Sequence, residues 1–241
     1  MSLAAILYWF KTNIGGNHMK KNIHLIKGLL ILFTAMLFVL ACKKDKGAYD
    51  FDNQVNEFDG NAYEYLKAQP GVYDSLLKVA DRITWLKDTL ITPSDFTIFA
   101  PTNRSFTLAL LNLNNLRTTQ KKSNINLGNA NLDQLDTLLN RYFISGRFST
   151  DSLLLTDGAS MQTIKYDYGM HAMEVNSNAY GFVHGGPKTI KYSDVKGSQY
   201  IVEWQRTTTQ AVNIFTHNAV IHVLTPSHEF GFSEFTLRLN K

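Results

Sequence analysis

Cysteine is nearly absent from this chain of 241 residues: there is one, Cys42. A single thiol excludes an intramolecular disulfide framework and every zinc site built from several cysteines. Proline is scarce, with 5 residues, and only 18% of the chain is charged, against 44% apolar and 12% aromatic. That balance excludes collagen-like and low-complexity sequence and leaves ample core for one large domain or two small ones. A positively charged surface is missing too. The net charge of +4 comes from Lys11, Lys20, Lys21 and Lys27, because residues 1–41 hold no acid and the remainder balances 20 Lys+Arg against 20 Asp+Glu. A nucleic-acid binder needs concentrated positive charge, so nucleic acid is excluded as a partner.

A membrane-spanning length is also lacking at the start of the chain. The apolar, uncharged run 28–41 falls short of the roughly 18–20 residues a spanning helix requires. Its length suits the apolar segment of a secretory signal, preceded by Lys20, Lys21 and Lys27. Residues 1–41 are read as a signal peptide, with Met19 before Lys-Lys as a candidate true start. The cysteine follows this run directly, in Val39-Leu40-Ala41-Cys42. This resembles the bacterial lipobox, which implies cleavage between Ala41 and Cys42 and acylation of the thiol, palmitate among its chains. Several acyl chains, at about 0.8 kcal/mol per buried methylene, anchor a domain that has no spanning helix. Residues 42–60 are polar and charge-mixed without sustained periodicity, and read as a lipidated tether. Lys43 stands where Asp would favour inner-membrane retention, so the expected location is the outer membrane, on the cell surface or the periplasmic face.

From residue 61 the pattern turns helical: Tyr63, Leu66, Val72, Leu76, Val79, Ala80 and Ile83 recur at three- and four-residue steps. Gln-Pro-Gly at 69–71 interrupts them, which predicts two short helices. Thr97–Ala100 predicts a strand ended by Pro101. Thr102 or Asn103 can then cap a helix running to Leu111. Residues 112–131 read as a loop, and Leu132–Phe143 as a helix closed by Gly146. After that the period drops toward two, predicting strands at 160–168, 172–176, 179–184, 188–192, 199–206, 211–216 and 219–224. Phe230–Leu239, within the extension 226–241, is read as one more strand. Helices first and strands later predict an α+β fold.

Three segments carry a family resemblance. Phe96-Thr97-Ile98-Phe99-Ala100-Pro101-Thr102-Asn103-Arg104-Ser105-Phe106 matches a T-x-F-A-P-T-[ND]-x-x-F pattern. Leu138–Phe148 is similar to L-x-x-Y-H-x-x-x-G-x-[YF], and Asn218-Ala219-Val220-Ile221-His222-Val223-Leu224 to N-G-x-I-H-x-[IV]. Together and in this order they resemble the fasciclin domain, over about residues 61–225. The resemblance implies a β-rich wedge flanked by short helices, in a single-domain bacterial lipoprotein. It makes Thr97, Phe99, Pro101, Thr102, Asn103, Tyr142, Asn218 and His222 structural motif residues. Ala219 replaces the usual glycine. Phe143 replaces the His of a Tyr-His pair implicated in integrin adhesion, so that role is not carried over. The span from Thr163 to Val212 exceeds the family's usual length and implies an extended hairpin.

Alternation along 220–224 puts Val220, His222 and Leu224 on one strand face, so His222 reads as a buried, hydrogen-bonded histidine. His217, His222 and His228 lack metal-ligand spacing, since strand residues five apart face opposite ways. No G-x-S-x-G, phosphate loop, H-E-x-x-H or dinucleotide fingerprint is present, and no metal or cofactor is called for. Asp133 and Asp136 share a helical face and read as an exposed acidic surface rather than a glycosidase pair. Aromatic residues are the candidate ligand contacts: Tyr166 with Tyr168, Tyr180 with Phe182, Tyr192, and Trp204 with Tyr200. A flat ring can stack on a sugar face, although ordinary sheet core accounts for the same pattern. The function expected is non-catalytic binding at the cell envelope. Polysaccharide or components of an outer-membrane glycan importer are the expected partners, and a protein–protein adhesion or scaffold module without glycan affinity is the alternative.

Overall fold

The computed structural model describes residues 56–154, 157–176 and 186–241. Three helices open the described region: α1 (Ala62–Lys67), α2 (Asp74–Ala80) and α3 (Thr84–Ile91). The pattern had predicted two. A capping box starts α1, with Asn61 Oδ1 accepting from the Glu64 amide while the Glu64 carboxylate accepts from the Asn61 amide. The second interruption falls at Asp81–Ile83, where turn hydrogen bonds from Arg82 and Ile83 replace the helical ladder. Leu66, Leu76, Val79, Leu86 and Leu90 are buried on one side of the three helices.

Strand β2 (Phe96–Ala100) is buried along its whole length and stops at Pro101, which has no amide to continue the ladder. Helix α4 (Asn103–Thr119) outruns the predicted end at Leu111 by two turns. Its apolar stripe continues through Phe106, Ala109 and Leu113, and the Asn114 side chain holds both the amide and the carbonyl of Ile125. Of the residues read as loop, 112–119 therefore belong to a helix, whose outer face their polar side chains cover, while 120–131 are loop as expected. Helix α5 (Leu132–Leu139) is capped by Asn131 and ends before the predicted Phe143. A 3-10 turn, Asn140–Tyr142, leads into β3 (Phe143–Ser145).

The remaining strands are β1 (Asn56–Glu57), β4 (Ala159–Gln162), β5 (Gly169–Asn176), β6 (Lys188–Asp194), β7 (Gln205–Phe215) and β8 (Ala219–Leu224). Strand β1 lies inside the segment read as tether. Among the described residues the sheet has eight strands, ordered β3-β2-β8-β7-β6-β5-β4, with β1 added in parallel to β7. Strands β2 and β8 run parallel with Ile98 opposite Ile221, which brings the first and last signatures side by side. The long β7 joins the two halves, pairing with β6 over 205–208 and with β8 from Thr209 onward. Register shifts occur between Thr209 and Ile214, where Asn213 takes a left-handed φ of 57°. An isolated bridge, Ile144 to Thr163, brings the two sheet ends together and makes a near-barrel.

Two predicted strands are shorter than expected: 160–168 ends at Gln162, and 199–206 holds a 3-10 turn at Ile201–Glu203 before β7 begins. The run 179–184 lies outside the described residues. Phe230–Leu239 is not a strand, because Phe235–Leu239 forms helix α6. Gly231, Phe232 and Ser233 all take positive φ, of 90°, 51° and 64°, and reverse the chain. The Phe side chains of this segment enter the core, with Phe230 stacked on Phe106 at 4.3 Å and on Tyr142 at 5.3 Å.

Candidate functional site

The motif residues act as clamps between elements. Thr97 Oγ1 donates to the Gly146 carbonyl at 2.7 Å and accepts from the Phe148 amide at 2.9 Å, tying β2 to the turn after β3. Thr102 precedes α4 but makes no side-chain cap, and Asn103 does not cap α4 either. Asn103 Oδ1 instead accepts from the Ser75 amide at 2.7 Å, and Nδ2 donates to the Gly71 carbonyl at 2.9 Å, so it fastens the start of α2. A capping residue type can satisfy a neighbouring helix as readily as its own, and only the fold decides which. Asn218 is 2% exposed. Its Oδ1 accepts from the Ala62 amide at 2.9 Å, while Nδ2 donates to the carbonyls of Leu90 and Thr92 at 3.0 Å. One amide thus joins α1 and α3 to the sheet.

His222 is fully buried, as its alternation predicts, and lies 5.2 Å from the Phe99 ring. Its Nε2 donates to the Phe148 carbonyl at 2.8 Å, and its Nδ1 accepts from the Asn213 amide at 3.2 Å. Burial lowers its pKa to about 4, against the smaller raising effect of the Phe148 hydrogen bond. The ring stays neutral in one tautomer. Tyr142 is buried, with its hydroxyl 2.7 Å from His228 Nε2 and accepting from the Gly231 amide at 2.7 Å. Burial also lowers His228, to about 3. Among the described residues no three His, Cys, Asp or Glu side chains cluster as a metal site would require.

Two candidate tyrosines are held by the fold's own contacts, Tyr192 buried and Tyr168 half-buried. Tyr192 is fully buried, stacks on Phe99 with centroids 3.6 Å apart, and donates to the Arg141 carbonyl at 2.5 Å, so it cannot contact a ligand. Tyr168 donates to Asp194 at 2.8 Å and lies under the Arg141 guanidinium. Arg141 pairs with the buried Asp194 at 2.6 Å and with Glu234 at 2.7 Å, and Lys196 and Arg238 also hold Glu234. Burial alone would raise Glu234, yet these three hydrogen-bonded cations bring it down to about 2. The network fastens the C-terminal segment to the sheet.

Tyr166 is not on the same strand face as Tyr168, because the chain turns at residues 164–166. Its hydroxyl donates to Asp136 at 2.7 Å. Asp136 is 8% exposed, not part of an open acidic face: Trp85 Nε1 donates to it at 2.7 Å and the Lys165 ammonium pairs with it. Trp85 on α3 and Lys165 satisfy this buried carboxylate on α5.

Trp204, among the described candidates, lines a cavity. It stands just before β7, with Nε1 donating to the Ser198 carbonyl at 2.8 Å and its ring 4.9 Å from His171. His171 Nε2 donates to the Asp157 carbonyl at 2.7 Å, which leaves Nδ1 as an acceptor in the neutral ring. Around them lies a groove of about 450 Å3, lined by Ser160, Met173, Lys191, Ser193, Ile201 and Arg206 among others. That volume falls within the range of small-ligand sites. Gly158 is needed at its edge: its φ is +76°, and a Cβ there would stand 2.5 Å from the Ala172 carbonyl. Beside the groove Tyr200, Ile201 and Val202 are 73%, 58% and 89% exposed. Tyr200 stands on the far side of the 3-10 turn and shares no strand with Trp204. Sequence reasoning missed His171, Lys191 and Arg206. Thr189, Lys191 and Ser193 at alternate positions of β6 were the available signal, but such residues become a site only through register. Ala41, Cys42, Tyr180 and Phe182 lie outside the described residues.

A family model for the fasciclin domain matches residues 73–225. Among solved structures the chain is similar to a FAS1 domain pair from the insect cell adhesion molecule fasciclin I, at 17% identity with a TM-score of 0.42. That similarity covers 71% of this chain and 46% of the other, so this chain spans less than half of the pair. A search of curated proteins found no match. Because the family match covers more than half of the sequence, the chain belongs to the fasciclin domain family.

Proposed function

We propose that this fasciclin domain is a non-catalytic binding module, held at the outer membrane by acyl chains on Cys42 after cleavage of a signal peptide at Ala41. Its ligand is polysaccharide, met alongside an outer-membrane glycan importer. The observation that carries the reading is the groove at Trp204. An indole and an imidazole are presented there to solvent, with hydroxyl and cationic groups around them. A ring face takes the C–H face of a sugar while the polar groups take its hydroxyls.

Affinity electrophoresis of the full chain through gels containing neutral and acidic polysaccharides tests the ligand. Retardation is expected for the wild type and loss of it for Trp204→Ala. The exposed run Tyr200-Ile201-Val202 favours a second reading, protein–protein adhesion. No retardation on any polysaccharide, with a defined envelope protein recovered by crosslinking through Tyr200, would establish that reading instead. Labelled palmitate tests the anchor: incorporation should vanish in Cys42→Ala and the variant should leave the membrane fraction. Unchanged membrane association refutes lipidation as the tether.

A further inference from the structure

Strand register arranges the outer face of β4–β7 into two rows. In antiparallel pairs, directly opposed residues share a face. Ser160 opposes His171, His171 opposes Ser193, and Ser193 opposes Arg206, which makes one row across four strands. In the next row Met173 opposes Lys191 and Lys191 opposes Thr208. The intervening residues Ala172, Tyr192 and Thr207 point to the buried side. Lys191 and Arg206 are therefore diagonal neighbours on one outward face, with Cβ atoms roughly 7–8 Å apart or slightly less.

Among the described residues neither cation forms an ion pair; Arg206 is braced by the Ile201 carbonyl, which adds no negative charge. Among the described residues Asp157 is the one acid lining the groove. Lys191 and Arg206 also line a second depression of about 470 Å3, with Gln205, Thr208, Thr225, Ser227 and one acid, Glu229, whose carboxylate accepts from Asn112. They form the ridge between two adjoining hollows. An extended chain lying in both must pass over two cations whose mutual repulsion an anionic group would relieve. A planar carboxylate suits this place, since a guanidinium takes it through paired hydrogen bonds while the ammonium adds charge.

We infer that the groove selects acidic polysaccharide, a uronic-acid-containing chain with a sugar ring against Trp204 and a carboxylate between Lys191 and Arg206. The inference rests on the glycan reading above and specifies the class of glycan.

Affinity electrophoresis of the full chain compares polygalacturonate and alginate with the carboxyl-reduced forms of the same polymers. Poly-L-glutamate serves as the non-sugar polyanion. Charge-assisted hydrogen bonds predict retention by the acidic polymers at about tenfold lower concentration than by the reduced ones. Lys191→Gln/Arg206→Gln should lose that preference while keeping the weaker retention by the reduced polymers, and Trp204→Ala should weaken both. Urea midpoints confirm that the variants are folded. Equal retention by acidic and reduced polymers, or a preference that survives in the double variant, overturns the carboxylate assignment and leaves the glycan reading standing. Equal retention by poly-L-glutamate overturns it in favour of an acidic peptide. No retention by any polysaccharide removes both readings.

Discussion

Mild acid should destabilise this domain well before its carboxylates titrate, because its core holds two neutral imidazoles. Burial is the first cause in both, lowering His222 from 6.5 to about 4 and His228 from 6.5 to about 3. Unfolding returns each ring to an ordinary value near 6.5. Between that value and the folded one, the unfolded chain binds protons that the folded chain refuses. Stability is therefore complete above about pH 7, falls as the pH drops through 6.5, and levels off only when the folded rings protonate. At about 1.4 kcal/mol per pKa unit, each ring removes about 2 kcal/mol by pH 5, or about 4 kcal/mol together. That is a large share of a domain's usual 5–15 kcal/mol. The geometry agrees with the sign. A protonated His222 would turn a second N–H toward the Asn213 amide, which already donates to it. A protonated His228 would turn an N–H toward a Tyr142 oxygen that already accepts from Gly231. Urea unfolding of the full chain, followed by tryptophan fluorescence at pH 7, 6 and 5, should give a slope of roughly 2.4 kcal/mol per pH unit near pH 5.5. His228→Gln, which can still accept from Tyr142, should roughly halve that slope. A stability that changes by less than about 1 kcal/mol between pH 7 and 5 refutes the reasoning, as does an unchanged slope in the variant.

Other perturbations read the remaining clamps. Asn218→Ala strands the Ala62 amide and the Leu90 and Thr92 carbonyls, and should cost about 3 kcal/mol by urea unfolding; a loss below about 1 would mean that these groups find other partners. Arg141→Met leaves Asp194 buried with Tyr168 and a Lys196 ammonium 3.5 Å away, and should cost about 3 kcal/mol. Adding Asp194→Asn should recover part of that loss, and a strictly additive double variant would show that the pair is not coupled. Gly158→Ala places a Cβ 2.5 Å from the Ala172 carbonyl at a left-handed φ, so it should lower stability by about 2 kcal/mol and weaken polysaccharide retention. A variant with wild-type midpoint and retention would show that the turn can relax.

Residues close in sequence were the legible ones. Strands β2 and β8 follow from short β-like runs of apolar residues, β5 and β6 from the drop toward a period of two, and the burial of His222 from its place beside Val220 and Leu224 on one face of β8. Boundaries failed where a polar surface hid a helical stripe, as over 112–119 in α4. The type of element failed at Phe230–Leu239, where three successive positive φ values and a five-residue helix give no clear period. Aromatic spacing could not separate Tyr192, stacked inside on Phe99, from Trp204, which lines a groove. An i, i+2 pattern states that two side chains share a face, but not which face looks outward.

The sequence by itself determined the family, through motif residues that lie close together along the chain, and the balance of 20 basic and 20 acidic residues after residue 41. Tertiary structure alone decided the groove. Its row Ser160, His171, Ser193 and Arg206 draws one residue from each of four strands, and only hydrogen-bond register aligns them. A shift of one residue in any of those pairings would send the same side chains into the core, because successive residues on a strand point to opposite faces.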